Sequence, residues 1–407
     1  MTEIKGGVCA PKGFLAGGVS CEIKKGSTKK DLALIYSKNL CSTAAMFTRN
    51  KVKAASVVLS QANISDGKLR AIIANSGNAN ACTGQEGTAA AKRMAQAAAD
   101  NLLISPSEIA VASTGVIGVP LPIEKIEANI DVLKASLKSD ESGHDAALEA
   151  IMTTDIRKKE IAVEIEIDGK IIRVGAMAKG SGMIHPNMAT MLCFVTTDAA
   201  ILPSTLDACL RRAVSRSFNR VTVDGDTSTN DMIVVMANGE AGNTLITDTD
   251  GENEIFYAAL EYVCVSLARQ MARDGEGATK LVTVTVKGAQ SEEKAAVFAR
   301  SVAASSLVKA ACFGADANWG RVLCALGYSG EDFDPNKTSV SFRSACGEIE
   351  VCSKGVTTHF SEEKAKEILL QEEIEIIVNL NDGRESASFW GCDLTYDYVK
   401  INGDYRS

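Results

Sequence analysis

HPNMATMLCFVTTDA, residues 185–199, is the stretch on which the fold and chemistry of this chain turn. Thr190 stands at the head of an apolar run, with the glycine-bearing KGSGMI of residues 179–184 behind it. Taken alone, Ala189-Thr190-Met191-Leu192 reads as the start of a buried strand, because threonine is a good strand former. A second reading makes Thr190 the reacting residue. If the Ala189–Thr190 bond were cut, Thr190 would begin a new chain. Its α-amino group, with a reference pKa of about 7.7–8.0, would be partly free base near neutrality. That amine can activate the hydroxyl of its own residue, directly or through water. The same hydroxyl, attacking the preceding carbonyl, would cut the bond by way of an ester that water opens, provided the surrounding loops hold the peptide distorted. Gly180, Gly182 and Pro186 suit such geometry, though glycine and proline also mark ordinary turns.

Outward from this point, IAVEIEIDGKIIRVGAMAKG alternates in polarity and turns at Asp168–Gly169, a hairpin whose second arm leads into the 179–190 segment. KVKAASVVLS and LRAIIANSG, both rich in branched residues and ending in turn chemistry, read as strands. TAAAKRMAQAAADNLLI is a helix opening at Gly87–Thr88. SPSEIAVASTGVIGVP gives a buried strand and a glycine-bearing loop. SEEKAKEILL is a helix beginning at Ser361, and EIEIIVNLNDGRESASFWGCDLTYDYVKING returns to strands. Helices and strand runs alternate irregularly, so a layered α+β fold is favoured over a regular βαβ wind.

The 407 residues carry 46% apolar and 23% charged side chains and a net charge of −8 without a basic cluster. That balance argues against a nucleic-acid or anionic-membrane partner. No apolar run reaches membrane-spanning length and no signal peptide opens the chain, so the cytoplasm is the expected compartment. Twelve cysteines are scattered without a C-x-x-C pair and read as small reduced core residues. Of three histidines, His144 and His359 sit in polar contexts and read as surface, leaving His185 as the one candidate for a histidine base. No nucleophile elbow, zinc helix or P-loop occurs. DGDTSTND, residues 224–231, lacks the sixth-position glycine and distal glutamate of a calcium loop and reads as a hydrogen-bonded turn, so no metal is expected.

KGSGMIHPNMATML, together with NSGNANACTG (75–84), STGVIG (113–118), VDGDTSTND (223–231), RDGEGATK (273–280) and the terminal INGDYRS (401–407), resembles the ornithine acetyltransferase family, also called glutamate N-acetyltransferases. The motifs run from the first third of the chain to its last residue. The resemblance implies self-cleavage between Ala189 and Thr190, giving segments 1–189 and 190–407 that share one core, with about 281–407 a candidate C-terminal subdomain. It implies a two-step exchange in which N-acetylornithine acetylates Thr190 and glutamate then takes the acetyl group, in arginine biosynthesis. Thr114 and Gly115 match the family's oxyanion pair. Losing one such donor costs other enzymes about 3–4 kcal/mol. Lys179, Thr153, Glu276, Asn402 and Ser407 match its substrate contacts, with Thr154 the neighbour of Thr153 in register; Gly403 and Ser407 depart from the commoner alanine and threonine. Lys179 suits an amino-acid carboxylate and Glu276 an amino group. Cys193 is a rival nucleophile on chemical grounds, but its apolar setting favours a core role. The resemblance implies no cofactor, leaves acetyl-CoA open as a further donor, and implies an α2β2 heterotetramer of the two fragments. The competing classes are a self-processing amidohydrolase or aminopeptidase, in which water replaces glutamate, and a silent binding protein with Thr190 in its core.

Overall fold

The computed structural model describes residues 1–24, 26–185, 191–247 and 251–404. Ala189, Thr190 and Ser407 lie outside the described residues. The chain packs as two compact units, one formed by Met1–Gly180, Asn187–Asn219 and Thr227–Leu267, the other by Ser181–Pro186, Arg220–Asp226 and Ala268–Ser407.

The first unit holds a nine-stranded mixed sheet. Its strands are β1 (Thr2–Ile4), β2 (Phe14–Val19), β3 (Leu32–Phe47), β4 (Lys68–Asn75), β5 (Ile109–Ser113), β6 (Lys159–Ile167), β7 (Lys170–Lys179), β8 (Leu192–Thr197) and β9 (Met232–Ala237). They run in the order β1-β6-β7-β8-β9-β3-β4-β5, with β2 also on β3. The β6–β7 hairpin turns at Asp168–Gly169, where φ of 53° and 71° supplies the left-handed pair that a two-residue turn needs. Helices α1 (Ala55–Asn63), α2 (Gly84–Leu102), α3 (Ile123–Ala135), α4 (Glu141–Ile151) and α5 (Pro203–Arg216) complete it with most of α6 (Glu252–Arg273).

Side-chain alternation shows why this sheet is a middle layer. On β4, Ile72 and Ala74 join one core with α1 and α4, whereas Ala71 and Ile73 join another with α2 and α3. On β5, Ala110 and Ala112 go with the first core, Ile109 and Val111 with the second. A strand with period-2 side chains that is apolar at every position must be covered on both faces. The first core also takes Met177 from β7 and Leu192, Phe194, Met232, Val234 and Met236 from β8 and β9, so residues on both sides of position 189/190 build one interior.

The second unit is built on a six-stranded sheet of β10 (Leu281–Ala289), β11 (Ser339–Ser344), β12 (Gly347–Ser353), β13 (Val356–Thr357), β14 (Glu373–Asn379) and β15 (Glu385–Cys392), ordered β13-β12-β11-β14-β10-β15. Helices α7 (Glu292–Ala304), α8 (Ser306–Phe313), α9 (Trp319–Gly327) and α10 (Glu362–Leu369) pack on its apolar face through Phe298, Val302, Val308, Val322 and Ile368. Ser361 caps α10 by accepting from the Lys364 N–H. Helix α11 (Tyr396–Gly403) ends the described chain.

Three sequence expectations need correction. KVKAASVVLS is helix α1, not a strand: Ser56, Val57 and Ser60 face inward, and the Ser60 hydroxyl both donates to the Val111 carbonyl and accepts its N–H at 2.7 Å. Propensity differences of a few tenths of a kcal/mol per residue yield to such packing. TYDYVKING is helix α11, capped by the Thr395 hydroxyl at the Tyr398 N–H; the strand-forming Tyr and Val side chains hide that cap. α2 begins at Gly84 rather than at Gly87–Thr88. No single helix among the described residues is long and apolar enough to cross a membrane.

Candidate active site

In the first unit, β7, β8, β9 and the end of β3 align with Lys179 opposite Leu192, Leu192 opposite Met232, and Met232 opposite Phe47. The last residue of β7 and the residues preceding β8 and β9 are thereby neighbours. Lys179 is 5% exposed, and its ammonium donates to the Thr114 hydroxyl oxygen at 3.1 Å. Two candidate residues 65 positions apart in sequence therefore meet.

Thr114 follows β5, and its N–H donates to the Asn75 carbonyl at 2.9 Å. Gly115, with φ of +135°, passes so close to the neighbouring loop that an added Cβ would lie 2.3 Å from the Gly77 carbonyl carbon. Only glycine fits there. NSGNANACTG and STGVIG are thus one interlocked structure, and the Ala79 N–H also donates to Val116 across it at 3.0 Å.

Asp155 organises the approach to Lys179. Its Oδ1 accepts from the Lys159 ammonium at 2.6 Å and from the Gly180 N–H at 2.7 Å, and its Oδ2 from the Thr153 N–H at 3.0 Å. Neither side chain of the Asp155–Lys159 pair is exposed. Burial would push this carboxyl up, but the Lys179 and Lys159 ammoniums outweigh it and hold Asp155 well below the usual range. Thr153 is tied to this network by its backbone, and Thr154 stands beside it with partners of its own.

Asp231, 1% exposed, accepts from the Met191 N–H at 3.1 Å. Burial pushes this carboxyl far up, against the Met191 N–H, the Ser228 hydroxyl, the Lys179 charge and the Thr48 hydroxyl. The preceding Asn230 donates to the Ala79 carbonyl at 2.6 Å and the Ser113 carbonyl at 2.7 Å.

In the second unit, the Asn402 amide donates to Glu276 Oε2 at 2.8 Å, so these two candidates also meet. The Glu276 N–H donates to the Ser181 carbonyl at 2.8 Å. Its carboxylate lies against Gly182, where an added Cβ would sit 2.3 Å from Oε2. Asp224 accepts from the Ile184 N–H at 2.9 Å, from the Met183 N–H at 2.5 Å and from the Tyr398 hydroxyl at 3.3 Å, pinning the segment that leads toward residue 189.

His185 is partly buried with its Nδ1 3.2 Å from the Thr222 hydroxyl; burial and then the Arg300 charge lower its pKa. Cys193 is fully buried, and burial, then the neighbouring Cys264, pushes its thiol far up, so it stays protonated and inert. His359 is exposed, as expected, but His144 is not on the surface. It is fully buried, accepting from the Val8 N–H at 3.2 Å through Nδ1 and pairing Nε2 with Glu160 at 2.5 Å. His144, Asp145 and Glu160 have the proximity of a metal trio, yet both imidazole nitrogens are already engaged and Asp145 pairs with Lys158. All cysteines are free, and all but Cys82, Cys324 and Cys346 are buried.

Asp155, Lys159, Asp224, Asn230 and Asp231 did not stand out from sequence as site residues. Asp224, Asn230 and Asp231 lie in the VDGDTSTND motif, which carries the family resemblance but whose residues read individually only as a hydrogen-bonded turn; Asp155 and Lys159 carry no signal beyond adjacency to Thr153.

The model of the ArgJ family matches residues 15–407. The chain belongs to the ArgJ family. The arginine biosynthesis bifunctional protein ArgJ of Caldanaerobacter subterraneus subsp. tengcongensis is 52% identical over 407 residues, all of both chains. That of Symbiobacterium thermophilum is 53% identical over 408 residues, again all of both chains. Among solved structures, the arginine biosynthesis bifunctional protein ArgJ of Bacillus halodurans is 47% identical with a TM-score of 0.50, covering 52% of this chain and 97% of its own. The layered α+β architecture is that of an ArgJ family member.

Proposed function

We propose that this ArgJ family enzyme of arginine biosynthesis transfers an acetyl group from N-acetylornithine to glutamate through an ester on Thr190, after cleavage of the Ala189–Thr190 bond. Membership over essentially the whole chain supports the reaction class. The observation that carries the mechanism is the buried Lys179–Thr114 contact. Because the Thr114 oxygen accepts from an ammonium, its own O–H remains available to donate. The adjacent charge makes that O–H a stronger donor toward a developing oxyanion.

In the first step the Thr190 hydroxyl oxygen bonds to the acetyl carbon while its proton passes to the Thr190 α-amine. The tetrahedral oxyanion is held by the Thr114 hydroxyl and the Gly115 N–H. Collapse breaks the amide bond, and ornithine departs with the stored proton. In the second step the glutamate amine attacks the ester and gives up a proton to the same α-amine, and the Thr190 oxygen leaves as a hydroxyl. Resemblance assigns Lys179, Thr153, Glu276, Asn402 and Ser407 to substrate contacts.

The length of the solved relative supports the cut. The match covers 52% of 407 residues, about 212, which is 97% of that chain, so the solved chain holds about 218 residues. Residues 190–407 of this chain number 218. In this reading the fragments remain together as a cytoplasmic α2β2 heterotetramer that needs no cofactor.

The test is incubation with N-acetylornithine and glutamate, and separately with acetyl-CoA and glutamate. N-acetylglutamate, label exchange between N-acetylornithine and ornithine without glutamate, and a fragment beginning Thr-Met-Leu-Cys are expected. Thr190→Ala should leave the chain whole. Free acetate in place of N-acetylglutamate would make the enzyme an amidohydrolase, and a fully active uncut chain would refute the mechanism. Product from acetyl-CoA would add a second donor.

A further inference from the structure

The VDGDTSTND segment supplies no group to the proposed chemistry, yet its last two residues reach both parts of the site in the first unit. Asn230 is 5% exposed, and every polar atom of its side chain is engaged. Its Nδ2 donates to the Ala79 and Ser113 carbonyls at 2.6 and 2.7 Å, and its Oδ1 accepts from the Thr229 hydroxyl at 2.5 Å. Ala79 belongs to one of the interlocked loops, and Ser113 is the residue before Thr114 in the other. An amide with two donors committed to two carbonyls and its oxygen committed to a hydroxyl has no freedom to rotate. It therefore fixes the distance between the loops. The next residue, Asp231, accepts from the Met191 N–H at 3.1 Å, and the Met232 N–H donates to the Met191 carbonyl at 3.0 Å. One dipeptide thus ties the loop carrying Thr114 to the head of β8.

We infer that Asn230 is a positioning residue: its carboxamide clamps the loops around Thr114 and, through the adjoining Asp231, holds them in register with Met191, the residue before β8. The inference rests on Thr114 being an oxyanion donor, as proposed above. Asn230 touches neither substrate nor reacting atoms and acts only through the placement of the Thr114 hydroxyl. Catalytic donors displaced by about 1 Å lose on the order of 100-fold in rate.

The test is a double-mutant cycle in kcat, on material whose cleavage has been verified by fragment sequencing. Asn230→Ala is expected to lower kcat by about 10- to 100-fold while KM moves less than about threefold, since ground-state contacts are untouched. In a Thr114→Val background, where the donor hydroxyl is already gone, the same change should cost less than about threefold. A general structural role would instead multiply the two losses in full, and that outcome overturns the inference while leaving the role of Thr114 intact. Wild-type kcat in Thr114→Val alone would overturn the oxyanion assignment and the inference with it. Where Asn230→Ala prevents cleavage or folding, Thr229→Val carries the same cycle, because it removes only the hydroxyl that orients the amide oxygen. A smaller kcat loss that vanishes in the Thr114→Val background supports the inference, and a loss that persists there overturns it.

Discussion

Replacing Asp155 by asparagine keeps the shape of the side chain and removes one negative charge from a place where two ammoniums depend on it. The Lys159 ammonium lies 2.6 Å away, with neither side chain exposed, and the Lys179 charge attracts the same carboxyl. The Lys159 ammonium has a second acceptor in the Arg157 carbonyl at 3.3 Å, which softens the loss without neutralising the charge. Removing one member of a buried ion pair costs about 3–5 kcal/mol, because the partner is left uncompensated. For a unit of some 250 residues this corresponds to a fall in Tm on the order of 6–10 °C, measurable by calorimetry or near-UV circular dichroism. The sign with pH is set by the depressed carboxyl. Its contribution is fully present above the unfolded value of about 3.9 and is lost as pH falls through the lower folded value. The gap between wild type and Asp155→Asn should therefore be constant around neutrality and shrink in acid. Adding Lys159→Met to Asp155→Asn should recover part of the lost Tm, since one of the two orphaned charges goes too while the Lys179 ammonium remains. A fall of less than about 2 °C at pH 7, or a double variant no more stable than the single, would refute the account of Asp155 as the charge hub of this site.

Two further outcomes are expected. Gly182→Ala places a Cβ 2.3 Å from Glu276 Oε2 and must displace that carboxylate, so KM for amino-acid substrates should rise at least about tenfold with the fold intact, which steady-state kinetics and a thermal melt together decide. Cleaved His185→Gln should keep the acid limb of its kcat–pH profile, because burial and Arg300 lower this imidazole pKa and so move it away from the α-amine range of about 7.7–8.0; loss of the limb would make His185 the base.

Local chemistry made much of the architecture legible. Asp168–Gly169 specifies a hairpin because both residues adopt the left-handed conformation that a two-residue turn needs, and Ser361 followed by two glutamates specifies a helix start; both are properties of a few adjacent residues. Where tertiary packing outvoted local preference, the sequence misled. The valines of KVKAASVVLS prefer strands, but helix α1 delivers the Ser60 hydroxyl to Val111 51 positions away. His144, set among polar neighbours, became a fully buried hydrogen-bond bridge because its partner Val8 lies 136 residues earlier. The candidate site divides in the same way. Thr114, Gly115, Lys179, Glu276 and Asn402 were legible through motif resemblance alone, with no indication of which would touch. That Lys179 meets Thr114, that Asn402 meets Glu276, and that Asp155, Asn230 and Asp231 support the first pair could come only from the tertiary structure. Each is a contact between segments 25 or more residues apart, or depends on a buried charge whose partners are chosen by strand order. Periodicity and turn chemistry describe a residue's own neighbourhood, whereas the worth of a buried polar group is set by whichever distant group the fold brings against it.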